Sequence, residues 1–130
     1  MSAVSPGSRI YSVEPTGWDD TARSLKSGNR ETNDLLGSKF CDALLTPTPG
    51  ELTFSINRNL LAGGFAVSDT EVIAAMKFAA RALKLVLEPG GAVALAAVLA
   101  GTFDARGLTV GVVLSGGNID LDDFARVLNS

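Results

Sequence analysis

Apolar positions along this chain change period several times, and each change marks an element. Arg9-Ile10-Tyr11-Ser12-Val13 alternates and stops at Glu14-Pro15, the pattern of a short strand closed by a residue that cannot extend pairing. A helix over about Asp19 to Lys26 is predicted next. Asp19 and Asp20 stand in its first turn, where carboxylates favour the positive end of the dipole, and Gly28-Asn29 ends it. Arg30 to Lys39 is polar and without period, the best candidate for a mobile loop. Cys41 to Leu45 suits a short helix stopped by Thr46-Pro47-Thr48-Pro49-Gly50, because each residue before a proline is pushed out of the helical region. From Glu51 to Leu61, the residues Leu52, Ile56, Leu60 and Leu61 recur at helical spacing until Gly63-Gly64 ends the run. Phe65-Ala66-Val67 is then a very short strand.

Ser68-Asp69-Thr70-Glu71 matches a capping box, and behind it Val72, Met76, Ala79, Leu83 and Leu87 form a stripe at spacings of four and three. The alanine-rich run from Gly90 to Gly101 reads as a buried helix over Ala92 to Ala100. Leu108 to Leu114 is nearly continuous apolar sequence between Gly107 and Gly116, as expected of a strand buried on both faces in a parallel sheet. Leu121 to Leu128 closes the chain as a helix with Leu121, Phe124, Ala125 and Leu128 on one face. Strands separated by helices give the fold class α/β: a partial parallel sheet of three visible strands with helices on its faces. Such a sheet leaves apolar surface uncovered, so further chain, an oligomer partner or both are expected to cover it. Residues 1–130 form one unit, without internal repeat or linker.

Composition narrows the chemistry. At 130 residues, 46% hydrophobic and 19% charged, the chain is long enough to bury a real core. It contains no histidine, which excludes Ser-His-Asp triads and histidine metal sites. The single cysteine, Cys41, can form neither an internal disulfide nor a multi-cysteine zinc site and fits a reducing cytosol, so a cytoplasmic location is expected. A net charge of −3 and 6% aromatic residues provide neither basic stripe nor stacking platform for nucleic acid. The longest apolar run falls short of the roughly 20 residues a membrane span needs. The Ser/Pro/Gly-rich start has no basic segment followed by an apolar one, so no secretion signal is expected.

Three places could hold chemistry. Val112-Val113-Leu114-Ser115-Gly116-Gly117-Asn118 runs a strand into a glycine turn, and ligands of open α/β sheets gather at the carboxyl ends of strands; the same glycines could equally make only a turn. The pattern is neither a P-loop nor GxGxxG. Glu88-Pro89-Gly90-Gly91 opens the apolar helix, where Glu88 could orient toward a cofactor or merely satisfy the helix dipole. Glu14 with Asp19 and Asp20 could clamp a hard cation, or be ordinary exposed acids at a helix start. Asp120, Asp122 and Asp123 are assigned to capping.

Glu88-Pro89-Gly90-Gly91-Ala92, the Val112-to-Asp120 motif, Glu14-Pro15 with Asp19-Asp20, and Cys41-Asp42-Ala43-Leu44-Leu45-Thr46-Pro47-Thr48-Pro49-Gly50-Glu51-Leu52-Thr53-Phe54 together resemble the C-terminal half of pyridoxal-phosphate-dependent threonine/serine dehydratases. The resemblance covers nearly the whole chain in the family's order, and serine racemase shares the same fold type II group. It implies that Ser115, followed by Gly116, hydrogen-bonds the cofactor's pyridine nitrogen. A neutral hydroxyl does not readily protonate that nitrogen, which favours prompt β-elimination. It further implies that Glu88 lies at the same ring edge, that Ala43 lines the cofactor face, and that Asp42 faces the substrate. The family's divalent site, for magnesium or calcium, falls on Glu14, Asp20 and the backbone carbonyl of Trp18, where relatives carry a smaller residue.

The family's Schiff-base lysine and glycine-rich phosphate loop precede the matched region, and none of Lys26, Lys39, Lys77 or Lys84 stands in such a motif. The chain is accordingly read as a C-terminal portion of an enzyme that converts L-threonine or L-serine to a 2-oxo acid and ammonia. It is expected to be inactive without the N-terminal half and prone to self-association. The alternatives are part of a serine racemase-like enzyme, or a non-enzymatic module for a small anion or a protein partner.

Overall fold

A computed structural model describes residues 4–130; the first three residues, Met1-Ser2-Ala3, lie outside the described residues. Strand β1 (Ile10–Pro15) pairs in parallel with β2 (Leu61–Val67), running from Ile10 opposite Leu61 to Pro15 opposite Val67 with one irregularity after Ile10. Proline is tolerated in β1 because it is the terminal residue, where no further pairing depends on it. Between the strands come α1 (Asp20–Ser27), a 3-10 turn (Asp42–Leu44) and α2 (Glu51–Leu60); after β2 come α3 (Asp69–Phe78), α4 (Pro89–Leu99) and α5 (Leu121–Asn129).

The core lies between α3, α4 and the strand pair. Val72, Ala75, Met76, Val67, Ala92 and Ala96 are fully buried there, and Phe124 of α5 closes one side. Helix α4 is buried over most of its circumference, which explains a sequence with no polar face. Cutting Met76 back to alanine at this centre costs about 2–5 kcal/mol. Helix α3 begins as its sequence dictates: Ser68 accepts from the Glu71 N–H, and the Glu71 carboxylate accepts from the Ser68 N–H at 2.6 Å.

Four expectations are corrected. Gly63-Gly64 does not end α2 before a short strand but lies inside β2, because a side chain at Gly64 would meet Ser12 Oγ at 2.6 Å and Ala22 Cβ at 2.8 Å; glycine lets α1 pack directly on the sheet. The α2 stripe points outward, with Leu52 74% exposed, while Phe54 is its buried residue. The α3 stripe fails beyond Ala79: a π turn over Ala79–Leu83 and the left-handed Lys84 (φ 61°) break the helix, leaving Leu83 exposed and burying Leu87 from a different segment. Leu108 to Leu114 forms no ladder, so among the described residues the sheet has two strands rather than three. A strand needs a hydrogen-bonded neighbour, and apolar character encodes the demand for cover without supplying that neighbour. Val113 accordingly remains 74% exposed.

Candidate functional site

Three turns far apart in sequence meet at the N-terminus of α4. Glu88 is its N-cap, in extended conformation, and Pro89 occupies the first turn, where a missing N–H costs nothing. The Glu88 N–H donates to the Gly116 carbonyl at 3.0 Å, and the Gly91 N–H donates to the Glu88 carbonyl at 3.1 Å. This stitches the Glu88–Gly91 turn to the Ser115–Gly117 turn. The 3-10 turn is the third wall: a methyl group on Gly90 would touch Ala43 Cβ and Leu44 Cγ, both at 3.4 Å.

Glycine is required at these junctions by close approach. A Cβ on Gly91 would lie 2.6 Å from the Gly116 carbonyl oxygen, and one on Gly117 would lie 2.7 Å from the Val86 carbonyl oxygen. A Cβ on Gly116 would fall 1.9 Å from Glu88 Oε1, so the Glu88 carboxylate lies directly over the Gly116 backbone. Glu88 is half-buried, whereas Ser115, Asp42 and Ala43 are exposed at the rim. The Ser115 hydroxyl has no hydrogen bond from the described residues. The arrangement packs the backbones of three turns together, with the exposed Ser115 hydroxyl on one side and the Glu88 carboxylate against Gly116.

The other predicted cluster lies at the end of β1. Glu14 caps α1 from outside the helix: Oε1 accepts from the Thr21 N–H at 3.0 Å and Oε2 from the Ala22 N–H at 2.8 Å. Asp20 is buried, and its Oδ1 accepts from Asn33 Nδ2 at 2.7 Å. Burial raises the pKa of both carboxyls; the charge of Asp20 pushes Glu14 further up, and that of Asp19 does the same to Asp20. Trp18 is buried, its indole N–H donating to the Ser38 carbonyl at 2.8 Å, and its backbone carbonyl receives no hydrogen bond from the described residues. Glu14, Asp20 and that carbonyl are an all-oxygen set of the kind hard cations take. Among the described residues no group of three or more His, Cys, Asp or Glu side chains is placed to hold a metal, so any cation here relies on two carboxylates and the carbonyl.

Neither cluster contains a lysine bond. Lys77 bonds the Ser130 carbonyl and Lys84 the Arg81 carbonyl, while Lys26 and Lys39 are exposed. Burial, with Asp69 and Asp42 nearby, pushes the Cys41 thiol up to about 12, so it is an inert core residue. Asp120 caps α5 through the Asp122 N–H at 2.8 Å, as its position suggested. Sequence reasoning singled out the Gly90-Gly91 and Gly116-Gly117 turns but not the close backbone approach between them, and it missed Asn33. Asn33 lies in a segment read as mobile but anchored by its backbone N–H to the Pro47 carbonyl at 2.8 Å. No helix among the described residues is long and apolar enough to cross a membrane.

Comparison with known proteins gives the site its context. Residues 1–116 match the family model described as "Pyridoxal-phosphate dependent enzyme". A serine racemase of Dictyostelium discoideum is 37% identical over 130 residues, covering 98% of this chain and 40% of that protein. A beta-hydroxyaspartate dehydratase of Paracoccus denitrificans is 36% identical over 94% of this chain and 38% of its own length. The structure of a processed threonine deaminase isoform of Solanum lycopersicum superposes with a TM-score of 0.87 at 27% identity, over 98% of this chain and 36% of that one. The chain thus spans about 40% of the length of the curated relatives it matches.

Proposed function

Since this chain belongs to the pyridoxal-phosphate dependent enzymes of fold type II, we propose that it forms the pyridine-nitrogen side of the active site of a hydroxy-amino acid ammonia-lyase acting on L-threonine or L-serine. The observation that supports this most is the meeting of the Asp42–Leu44, Glu88–Gly91 and Ser115–Gly117 turns at the N-terminus of α4. Pyridoxal phosphate, when bound, acts as an electron sink that eases loss of the substrate α-proton and β-hydroxyl.

Each residue has a stated task. The Ser115 hydroxyl meets the ring nitrogen without carrying a charge of its own, and Glu88 borders the same edge, anchored by its backbone bond to Gly116. Ala43 is small enough to leave the ring face open, and Asp42 stands at the rim on the substrate side. Glu14, Asp20 and the Trp18 carbonyl would supply oxygen ligands for magnesium or calcium. The reactive lysine and the phosphate loop would come from an N-terminal half of the polypeptide, which would also cover the exposed Leu108, Val110 and Val113; without that half the same residues support self-association. A serine racemase-like activity is the second reading, supported by the 37% identity to the Dictyostelium enzyme.

The test supplies pyridoxal phosphate with L-threonine or L-serine to the 130-residue chain alone and to the chain joined to a lysine-bearing N-terminal half. Oxo-acid formation is expected only from the joined protein. Robust turnover by the chain alone, or none from a folded joined protein, overturns the proposal. Chiral analysis of residual serine separates the readings, since D-serine in excess of pyruvate marks a racemase.

A further inference from the structure

Among the described residues the buried polar side chains are Asp20, Ser24 and Asn33, and all three lie where α1 meets the segment from Glu31 to Asn33. Ser24 Oγ accepts the Glu31 N–H at 2.8 Å. Buried polar groups are expensive unless every bond is made, so a junction built of them needs a reason beyond packing. Asn33 is its hub. One carboxamide nitrogen donates to both Asp20 Oδ1 (2.7 Å) and the Thr46 carbonyl (2.8 Å), using both of its hydrogens. The amide oxygen accepts from Arg23 Nη2 at 2.5 Å, and the backbone N–H is tied to the Pro47 carbonyl at 2.8 Å. These bonds fix the amide's orientation, since a flip would point its oxygen at two acceptors. One Asp20 oxygen is thereby held, while the other takes no hydrogen bond from another of the described residues.

We propose that Asn33 is the positioning residue of the Asp20 carboxylate, clamping one oxygen so that the other is presented beside Glu14 as a ligand for a divalent cation. The proposal rests on the reading of Glu14, Asp20 and the Trp18 carbonyl as cation ligands. A carboxylate ligand oriented by a buried amide follows the general rule that outer partners fix the geometry of metal ligands, and losing such a partner typically weakens metal affinity about 10–100-fold. Arg23 acts one step further out by holding the amide oxygen.

The experiment titrates the full chain with Mn²⁺ alone and follows quenching of Trp18, its single tryptophan, together with the cation-induced rise in melting temperature. Saturable quenching is expected, with the apparent Kd raised about 10–100-fold in Asn33→Ala. In an Asp20→Asn background, Asn33→Ala is expected to add no further loss, an outcome that a purely structural role would not produce. Should Asn33→Ala fail to fold, Arg23→Gln leaves the Asp20 contact in place and is expected to raise Kd by a smaller factor. Wild-type Kd in the folded variants, or equal losses with and without Asp20, overturns the positioning role while leaving the cation site standing. Absence of any saturable Mn²⁺ effect on the wild-type chain overturns the cation reading and the proposal with it.

Discussion

Substituting Gly91 by alanine sets two physical effects of opposite sign against each other, so the direction of the change tests the site geometry. Within a helix, glycine to alanine stabilises by about 0.8–1 kcal/mol through propensity. At Gly91 the new methyl would lie 2.6 Å from the Gly116 carbonyl oxygen and 2.9 Å from its amide nitrogen, both backbone atoms. Real Cβ atoms do not approach that closely, and neither partner can swing away as a side chain would. Relief requires α4 and the Ser115–Gly117 turn to separate, which also stretches the 3.0 Å bond from the Glu88 N–H to Gly116. Overpacking of this kind costs about 1–3 kcal/mol, enough to cancel or outweigh the propensity gain. The assay is urea denaturation at fixed pH, reading the midpoint at unchanged slope. Gly111→Ala, where nothing lies within 4 Å, serves as the control for handling and solvent effects. A lowered midpoint for Gly91→Ala with an unmoved control is expected. A midpoint raised by the full propensity gain would mean that the two turns do not touch, and the candidate site would lose the contact that joins them.

Ser68→Ala removes the cap of α3 and is expected to destabilise the chain by about 1 kcal/mol, measured by the same denaturation; an unchanged midpoint would contradict the capping box. Hydrogen bonds from Ser68 hold the Glu71 carboxyl below its ordinary value of 4.5, so Glu71 stabilises the fold fully above that pH and the contribution disappears as pH falls through the lowered folded value. Glu71→Gln is expected to flatten that acid limb, and an identical pH profile for the variant would refute the assignment. Cys41 is fully buried with its thiol pushed up to about 12, so a disulfide reagent at pH near 8 is expected to leave the native chain unmodified and to react on addition of denaturant; rapid native labelling would show that Cys41 is accessible. Gly116→Ala is expected to displace the Glu88 carboxylate and to weaken pyridoxal phosphate binding in the joined protein, read by equilibrium dialysis.

Local signals were legible wherever chemistry and structure act over four residues. The capping box at Ser68–Glu71, the proline-opened α4 and the aspartate-capped α5 follow from adjacent side chains and occur where expected. Errors arose where a residue's meaning depends on a distant partner. Gly63-Gly64 has the local grammar of a terminator, yet its role is set by α1 crossing the sheet at Ala22. Leu108 to Leu114 has the composition of a buried strand but no neighbour to pair with, so its apolar character goes unmet. Asn33 looks like any loop asparagine until the chain brings Asp20 and the Thr46 carbonyl to it from either side.

The same distinction explains why the candidate site was visible through motif resemblance and hidden from periodicity. Its walls at Gly90, Gly91, Gly116 and Gly117 are backbone surfaces, and what makes them a site is the absence of side chains. Hydrophobic patterning measures which side chains seek burial, so a junction made by missing ones leaves no trace in it. Charge counting fares no better, because the candidate side chains at these turns are the neutral Ser115 hydroxyl and the carboxylates of Glu88 and Asp42 within an acidic chain. Glycine pairs at the entrance to a helix and at the exit of an apolar run do carry the information, but only jointly. Each is an ordinary turn until the Glu88 N–H reaches the Gly116 carbonyl, and that single 3.0 Å bond converts two turns into one wall. Substitutions here should therefore act in pairs: Gly91→Ala presses on the Gly116 backbone and Gly116→Ala on the Glu88 carboxylate, neighbouring contacts across one junction, so their effects on the denaturation midpoint should fall short of additive once either has opened it. Strict additivity in the double variant would place the two turns in independent surroundings.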